Sequence, residues 1–122
     1  MTNAGLMREL PVVPLPAADN LVRGMVVQWS TSLGLVIAWV SGSTPALGVA
    51  TSDSNTDLGM IDVYCGKGAS VLIKCAPGIV PNPNDFLFWS ASGVVSNTGT
   101  TGQQFARAIG VGFNGYVEAV IV

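Results

Sequence analysis

The chain of 122 residues contains no histidine, the side chain most often used for proton transfer near neutral pH. Ser-His-Asp and Cys-His triads are therefore excluded. The closest pairing of a serine with a lysine is Ser70 with Lys74. Four residues along a strand separate two side chains on one face by ~13 Å, which favours a solvent-facing polar pair. We expect no catalytic residues and a protein that is not an enzyme.

The sequence contains no complete motif for metal or phosphate binding. Asp53 and Asp57 share a loop rich in Ser, Asn and Thr, but the spacing of a calcium loop with its distal Glu is absent, so turn capping is favoured. The run Gly66-Lys67-Gly68 lacks the Ser or Thr that follows the lysine of a phosphate loop. Cys65 and Cys75 give no metal-ligand spacing, and we expect both to be free thiols. The sequence predicts neither a metal site nor a cofactor.

Charge is sparse: charged residues make up 10% of the chain, against about 25% in ordinary soluble domains, and the mean hydropathy is +0.53. The five basic residues are scattered, whereas nucleic-acid binding needs a basic stripe. The apolar part of the longest uncharged stretch, residues 33–40, is far shorter than the roughly 20 residues of a spanning helix. We expect no direct nucleic-acid binding and no membrane span, and infer that other protein covers much of the surface.

Three tryptophans, Trp29, Trp39 and Trp89, are the remaining candidates for a binding surface. They would suit a face on which carbohydrate rings stack. Large aromatic side chains are more often core or interface anchors, and we interpret all three as candidates for an oligomer interface.

The first twenty residues differ from the rest in their proline content, because three of the seven prolines lie within residues 10–16. This density favours an extended, polyproline-like arm. The arm is apolar, so it needs a surface to lie on: either a partner, which we favour, or its own domain as an edge strand. The candidate contact residues are Leu6, Met7, Leu10, Pro11, Val12, Val13, Pro14, Leu15 and Pro16.

Residues 21–122 read as one β domain of short segments rich in β-branched and aromatic residues, separated by turns. The predicted strands are 25–30, 35–40, 46–50, 60–65, 71–75, 79–80, 86–89, 93–96, 105–113 and 116–122. The glycines of Gly66-Lys67-Gly68 and the pair Asn114-Gly115 each predict a hairpin. No window shows a helical stripe, and the apolar C-terminal segment is expected to be a central strand or part of a subunit interface.

The order of several motifs resembles that of the small capsid decoration (cement) proteins of tailed phages, a group that includes the lambda head decoration protein. The matching segments are Leu21-Val22-Arg23-Gly24-Met25-Val26-Val27, Pro45-Ala46-Leu47-Gly48-Val49-Ala50, residues 71–80, residues 85–95 and residues 106–121. Each segment alone is a common β-protein pattern, and the resemblance lies in their order. The proline-rich arm falls outside it.

The resemblance implies a small β-tulip-like sandwich or barrel with an extended N-terminal arm. It further implies a structural virion protein on the outer capsid surface, assembled in the host cytoplasm, that bridges subunits of the major capsid protein. The arm would be the capsid-binding segment, and the protein would form homotrimers, with a dimer as the alternative. A carbohydrate- or protein-binding β module of a virion tail or fibre is the alternative function.

Overall fold

A computed structural model describes residues 12–18, 20–30, 32–41, 44–54, 59–98 and 104–122. These residues form strands and connecting turns, and no helix occurs among them, which confirms the predicted all-β class. The strands are β1 (Val12–Pro16), β2 (Val26–Ser30), β3 (Leu35–Ala38), β4 (Gly48–Ala50), β5 (Met60–Tyr64), β6 (Ser70–Lys74), β7 (Phe86–Ala91), β8 (Val94–Ser96), β9 (Ala106–Ala108) and β10 (Tyr116–Ile121).

The ten strands form two antiparallel five-stranded sheets, in agreement with a small sandwich. Sheet I has the order β1-β5-β4-β2-β3, and sheet II has the order β6-β10-β9-β7-β8. Both sheets curve so far that their first and last strands touch. In sheet I the amide of Ala18 donates to the Val36 carbonyl, and in sheet II the amide of Ala76 donates to the Val95 carbonyl, each at 2.9 Å.

The two sheets share one hydrophobic core. Inward residues of sheet II, such as Ile73, Leu87 and Val117, pack with Val26 and Val49 of sheet I. Backbone hydrogen bonds also cross between the sheets at three points: Lys74 N–H to Gly24 C=O, Val26 N–H to Gly93 C=O, and Gly93 N–H to Trp39 C=O. A second cluster fills the concave side of sheet I. It contains Ala17, Leu21, Val27, Val36, Ala50, Ile61 and Val63.

The hairpin predicted at Gly66-Lys67-Gly68 is wrong. The strands before and after this turn, β5 and β6, lie in different sheets, so the turn is a crossover between the sheets. Both edges of β5 are already paired, one with β1 and the other with β4, while β6 pairs with β10. Period-two patterning assigns a face to each strand but does not identify its neighbour, so it could not exclude the local pairing.

The hairpin predicted at Asn114-Gly115 is present. Both residues have positive φ, 54° and 81°, as a type I′ turn requires, and Phe113 bridges to Tyr116. The preceding strand is shorter than predicted, because β9 covers only Ala106–Ala108. The predicted strand at residues 79–80 is absent from the sheets. As expected, β10 is an internal strand, between β6 and β9.

Residues 12–16 of the predicted arm form β1, the edge strand of sheet I, in register with β5 from Val12↔Tyr64 to Pro16↔Met60. For this part of the arm the structure shows the edge-strand alternative. The remaining candidate arm residues, Leu6, Met7, Leu10 and Pro11, lie outside the described residues.

Candidate interaction surfaces

No group with evident catalytic chemistry forms within the described ranges. They contain no cluster of three or more His, Cys, Asp or Glu side chains that could hold a metal. Asp57, which the sequence analysis considered as a calcium ligand together with Asp53, lies outside the described residues. The Ser70 hydroxyl donates to Glu118 Oε2 at 3.0 Å. A helix long and apolar enough to cross a membrane is not found in this part of the chain.

The two cysteines, Cys65 and Cys75, are free thiols. Cys75 is buried in the shared core, and this burial raises its pKa to about 11, with nearby Lys74 opposing the shift. Cys65 is half-buried, and burial raises its pKa as well. Both thiols are therefore protonated near neutral pH, which makes them poor nucleophiles.

The three tryptophans do not share one surface. Trp39 is 3% exposed and packs in the core against Phe105, with ring centroids 5.4 Å apart, so its assignment to an oligomer interface is wrong. Trp89 is half-buried, and its indole N–H donates to the carbonyl of Trp39 at 2.9 Å. Trp29 is 42% exposed on β2 and stays a candidate contact residue. A carbohydrate-stacking face built from all three rings is thereby excluded.

Prolines occupy the edge of β1 that faces away from β5, an edge that meets β3 only at its C-terminal end, where Ala17 bridges to Val36. Ala17 donates its amide to Gly59, on the β5 side, while Ala18 donates to Val36, on the other side. Because backbone groups alternate along a strand, the even-numbered residues of β1 face away from β5. Pro14 and Pro16 have even positions, so the edge lacks two of the N–H groups that an added strand would need. The prolines therefore disfavour the addition of a strand at this edge.

An exposed apolar surface lies beside the β9–β10 connection, and we call it the apolar tip. It consists of Val80, Val111 and Phe113, of which Phe113 is 76% exposed. The segments are held together because Gly112 donates its amide to the Pro81 carbonyl at 2.8 Å. A Cβ at Gly112 would approach Pro81 Cδ to 2.7 Å, so glycine permits this close packing.

A shallow, open groove lies where the sheets meet. It is lined by Val22, Arg23, Thr51, Ser52, Asp53, Lys74 and Tyr116. The Lys74 ammonium lies 5.3 Å from the centre of the Tyr116 ring, and Asp53 accepts the backbone amide of Arg23 at 2.8 Å. The groove is mixed in charge, since two basic groups and one carboxylate line it.

The outer face of sheet II combines apolar and charged side chains. Leu72, Phe86 and Ile109 are each about half exposed. Arg107 lies over the Phe86 ring, 5.5 Å from its centre, and Glu118 is exposed on the neighbouring strand. The face therefore offers apolar area with one acidic and one basic group near its centre.

A scan against models of protein families finds no match to this chain, and a search of curated proteins finds none.

Proposed function

We propose that the chain is a structural virion protein that decorates the outer surface of a phage capsid and stabilises it by bridging subunits of the major capsid protein. The observation that carries this proposal is the exposure of large apolar side chains on a chain with few charges. Phe113 and Val111 each expose at least 60% of their surface. Exposed apolar patches of this kind are typical of surfaces that other proteins cover.

The proposed mechanism is mechanical and requires no catalysis. Apolar area buried across neighbouring capsid subunits contributes roughly 25 cal/mol per Å² before ordering costs are subtracted, and repetition over the lattice multiplies the effect. The absence of histidine from the sequence accords with a non-catalytic role. The proposed setting is the virion surface, reached after assembly in the host cytoplasm.

Two surfaces are proposed to contact the capsid. One is the apolar tip, where Val80, Val111 and Phe113 are exposed beside one another. The other is the N-terminal segment up to Pro16, whose described part adds the exposed residues Val12 and Val13. The alternative of a carbohydrate-binding module loses the support it drew from the tryptophans, because Trp39 is in the core.

Incubation of the purified protein with expanded capsids of the encoding phage, followed by sedimentation, tests the proposal. We expect saturable co-sedimentation and a higher temperature of capsid disruption. Phe113→Ser should reduce binding without changing the melting temperature, because the side chain is mostly exposed. Leu33→Ser, at an exposed turn of sheet I outside both proposed surfaces, is the matched control. Absence of wild-type binding would refute the capsid role.

A further inference from the structure

We infer that a second copy of this chain packs on the outer face of sheet II, as a two-fold symmetric dimer. The central four residues of this face are called the diagonal array: Glu118, Ile109, Val120 and Arg107. The inference does not depend on the proposed capsid role, since it concerns the free protein.

The register places the four residues of the array at the corners of a rectangle on the outer face of the sheet, two on each of the neighbouring strands β9 and β10. Val120 of β10 is directly opposite Arg107 of β9. One step further along the ladder, Ile109 donates its amide to the Glu118 carbonyl at 2.9 Å, so this pair is also cross-strand. Neighbouring strands lie ~4.8 Å apart, and residues two apart on one strand lie ~7 Å apart. Ile109 and Val120 thus lie on one diagonal of the rectangle, and the oppositely charged Arg107 and Glu118 lie on the other.

The charges are oriented away from each other within one copy. Arg107 stacks on Phe86 of β7, on one side of the array. Glu118 accepts the hydroxyl of Ser70 from β6, on the other side. Within the described part of the chain neither group forms an ion pair, so both stay available to a partner.

A two-fold axis along the apolar diagonal, in the plane between two stacked sheets, makes this face complementary to itself. Rotation about it brings Ile109 and Val120 near their own copies and exchanges the two charged corners. Glu118 of each copy then meets Arg107 of the other, so this ion pair occurs twice in the dimer. At the periphery, Leu72, opposite Glu118 on β6, comes near Phe86 of the second copy. The strands cross steeply, as in orthogonal sheet packing.

Charge exchange tests this geometry. Sedimentation equilibrium of wild-type protein should give a monomer–dimer equilibrium. Arg107→Glu or Glu118→Arg places like charges across the axis twice, so each should raise the dissociation constant ~100-fold. The double variant reverses both pairs and should restore dimerisation to within ~10-fold of wild type. Lys67→Glu and Asp62→Arg make the same charge changes at exposed sites off this face and should leave the dissociation constant unchanged.

A second substitution tests the position of the axis. Ile109→Lys brings two lysines together only if the residue meets its own copy, and it should abolish the dimer; Leu33→Lys, exposed on the other sheet, should not. Circular dichroism and melting temperature confirm that each variant is folded. A monomeric or trimeric wild type, a double variant as weak as the single variants, or a dimer unaffected by Ile109→Lys would overturn the inference.

Discussion

Gly48 shows how one missing side chain lets two strands of sheet I approach. It lies on β4, beside β5, and a Cβ added there would collide with the backbone carbonyl oxygen of Tyr64 and meet Val63 Cγ1 at 3.0 Å. The obstacle is backbone within a paired strand, so it cannot rotate away. The position therefore requires glycine for space, not for a positive φ.

We predict that Gly48→Ala lowers the free energy of unfolding by ~3 kcal/mol, because the strands must separate to admit the methyl group. Urea denaturation of both proteins measures this difference. Gly110→Ala is the matched control, because the neighbour that its added Cβ would meet is Glu118 Cβ, at an ordinary 3.9 Å. It should change stability by less than ~0.5 kcal/mol. Equal effects of the two substitutions would contradict the packing shown here.

Asp85 fixes the turn that precedes β7. Its Oδ2 atom accepts the Asn97 side-chain amide and the Asn82 backbone amide, both at 2.8 Å. The bond from Asn97, and then that from Asn82, lowers the pKa of this carboxyl group below its usual value. Because the folded-state pKa is the lower one, the ionised group stabilises the fold above the unfolded-state pKa. That contribution is lost as the pH falls through the folded-state pKa.

Asp85→Ala should therefore destabilise the protein more at pH 7 than at pH 2.5. Denaturation midpoints of the variant and wild type at both pH values test the prediction. Asp62→Ala removes an exposed carboxylate with no side-chain hydrogen bond in the described structure, and it serves as the control. A gap between wild type and Asp85→Ala that is the same at both pH values would contradict the proposed role of the charge.

The pKa of Cys75 shifts in the opposite direction to that of Asp85, because burial raises the pKa of the Cys75 thiol to about 11. The neutral thiol stabilises the fold fully below the unfolded-state pKa near 9, and this contribution is lost as the pH rises through 11. We predict that iodoacetamide at pH 8 modifies Cys65 first and leaves Cys75 unmodified until the protein unfolds. Mass spectrometry of peptides from native and urea-treated protein distinguishes the two sites. Equal rates in the native protein would contradict the burial of Cys75.

At the scale of elements, local chemistry predicted strands and turns well but pairing poorly. Asn114-Gly115 was identifiable because the type I′ turn needs two residues with positive φ. Gly66-Lys67-Gly68 carries a similar signal, yet it connects two sheets, because the partners of β5 and β6 come from distant parts of the chain. The prediction of an interface role for Trp39 was wrong for a related reason, since the sequence does not distinguish a core tryptophan from an interface tryptophan. The groove and the diagonal array could not be predicted, because their residues come together only through the strand pairing and register, which a single sequence does not specify.

The prolines of β1 give an element-scale prediction. Replacing Pro14 and Pro16 by valine returns two N–H groups to the edge of β1 that faces away from β5, which then lacks the protection that proline gives against strand addition. We expect the double variant to self-associate more readily, measured by light scattering during prolonged incubation at high concentration. Pro45→Val, at an exposed position between strands, controls for the loss of proline itself. Unchanged scattering of the double variant would show that other features protect this edge.

At the scale of the whole molecule, the N-terminal region has two separable parts. β1 belongs to sheet I, where Leu15 and Ala17 pack against the cluster that contains Ile61 and Val63. Deleting residues 1–18 removes these contacts and uncovers β5. We predict a fall in melting temperature of at least ~10 °C, because several apolar side chains worth ~1.5 to 3 kcal/mol each lose their burial. An unchanged melting temperature would contradict the pairing of β1 with β5.

Deleting residues 1–10 is the sharper test of capsid attachment, since it leaves β1 and its ladder intact. We predict an unchanged melting temperature but weaker co-sedimentation with expanded capsids, because the deletion removes the apolar residues Leu6, Met7 and Leu10. Replacing only these three by serine preserves the chain length and should weaken binding similarly. If both variants bind as wild type does while Phe113→Ser does not, the apolar tip alone makes the contact. Binding retained by all three variants would exclude both proposed capsid surfaces.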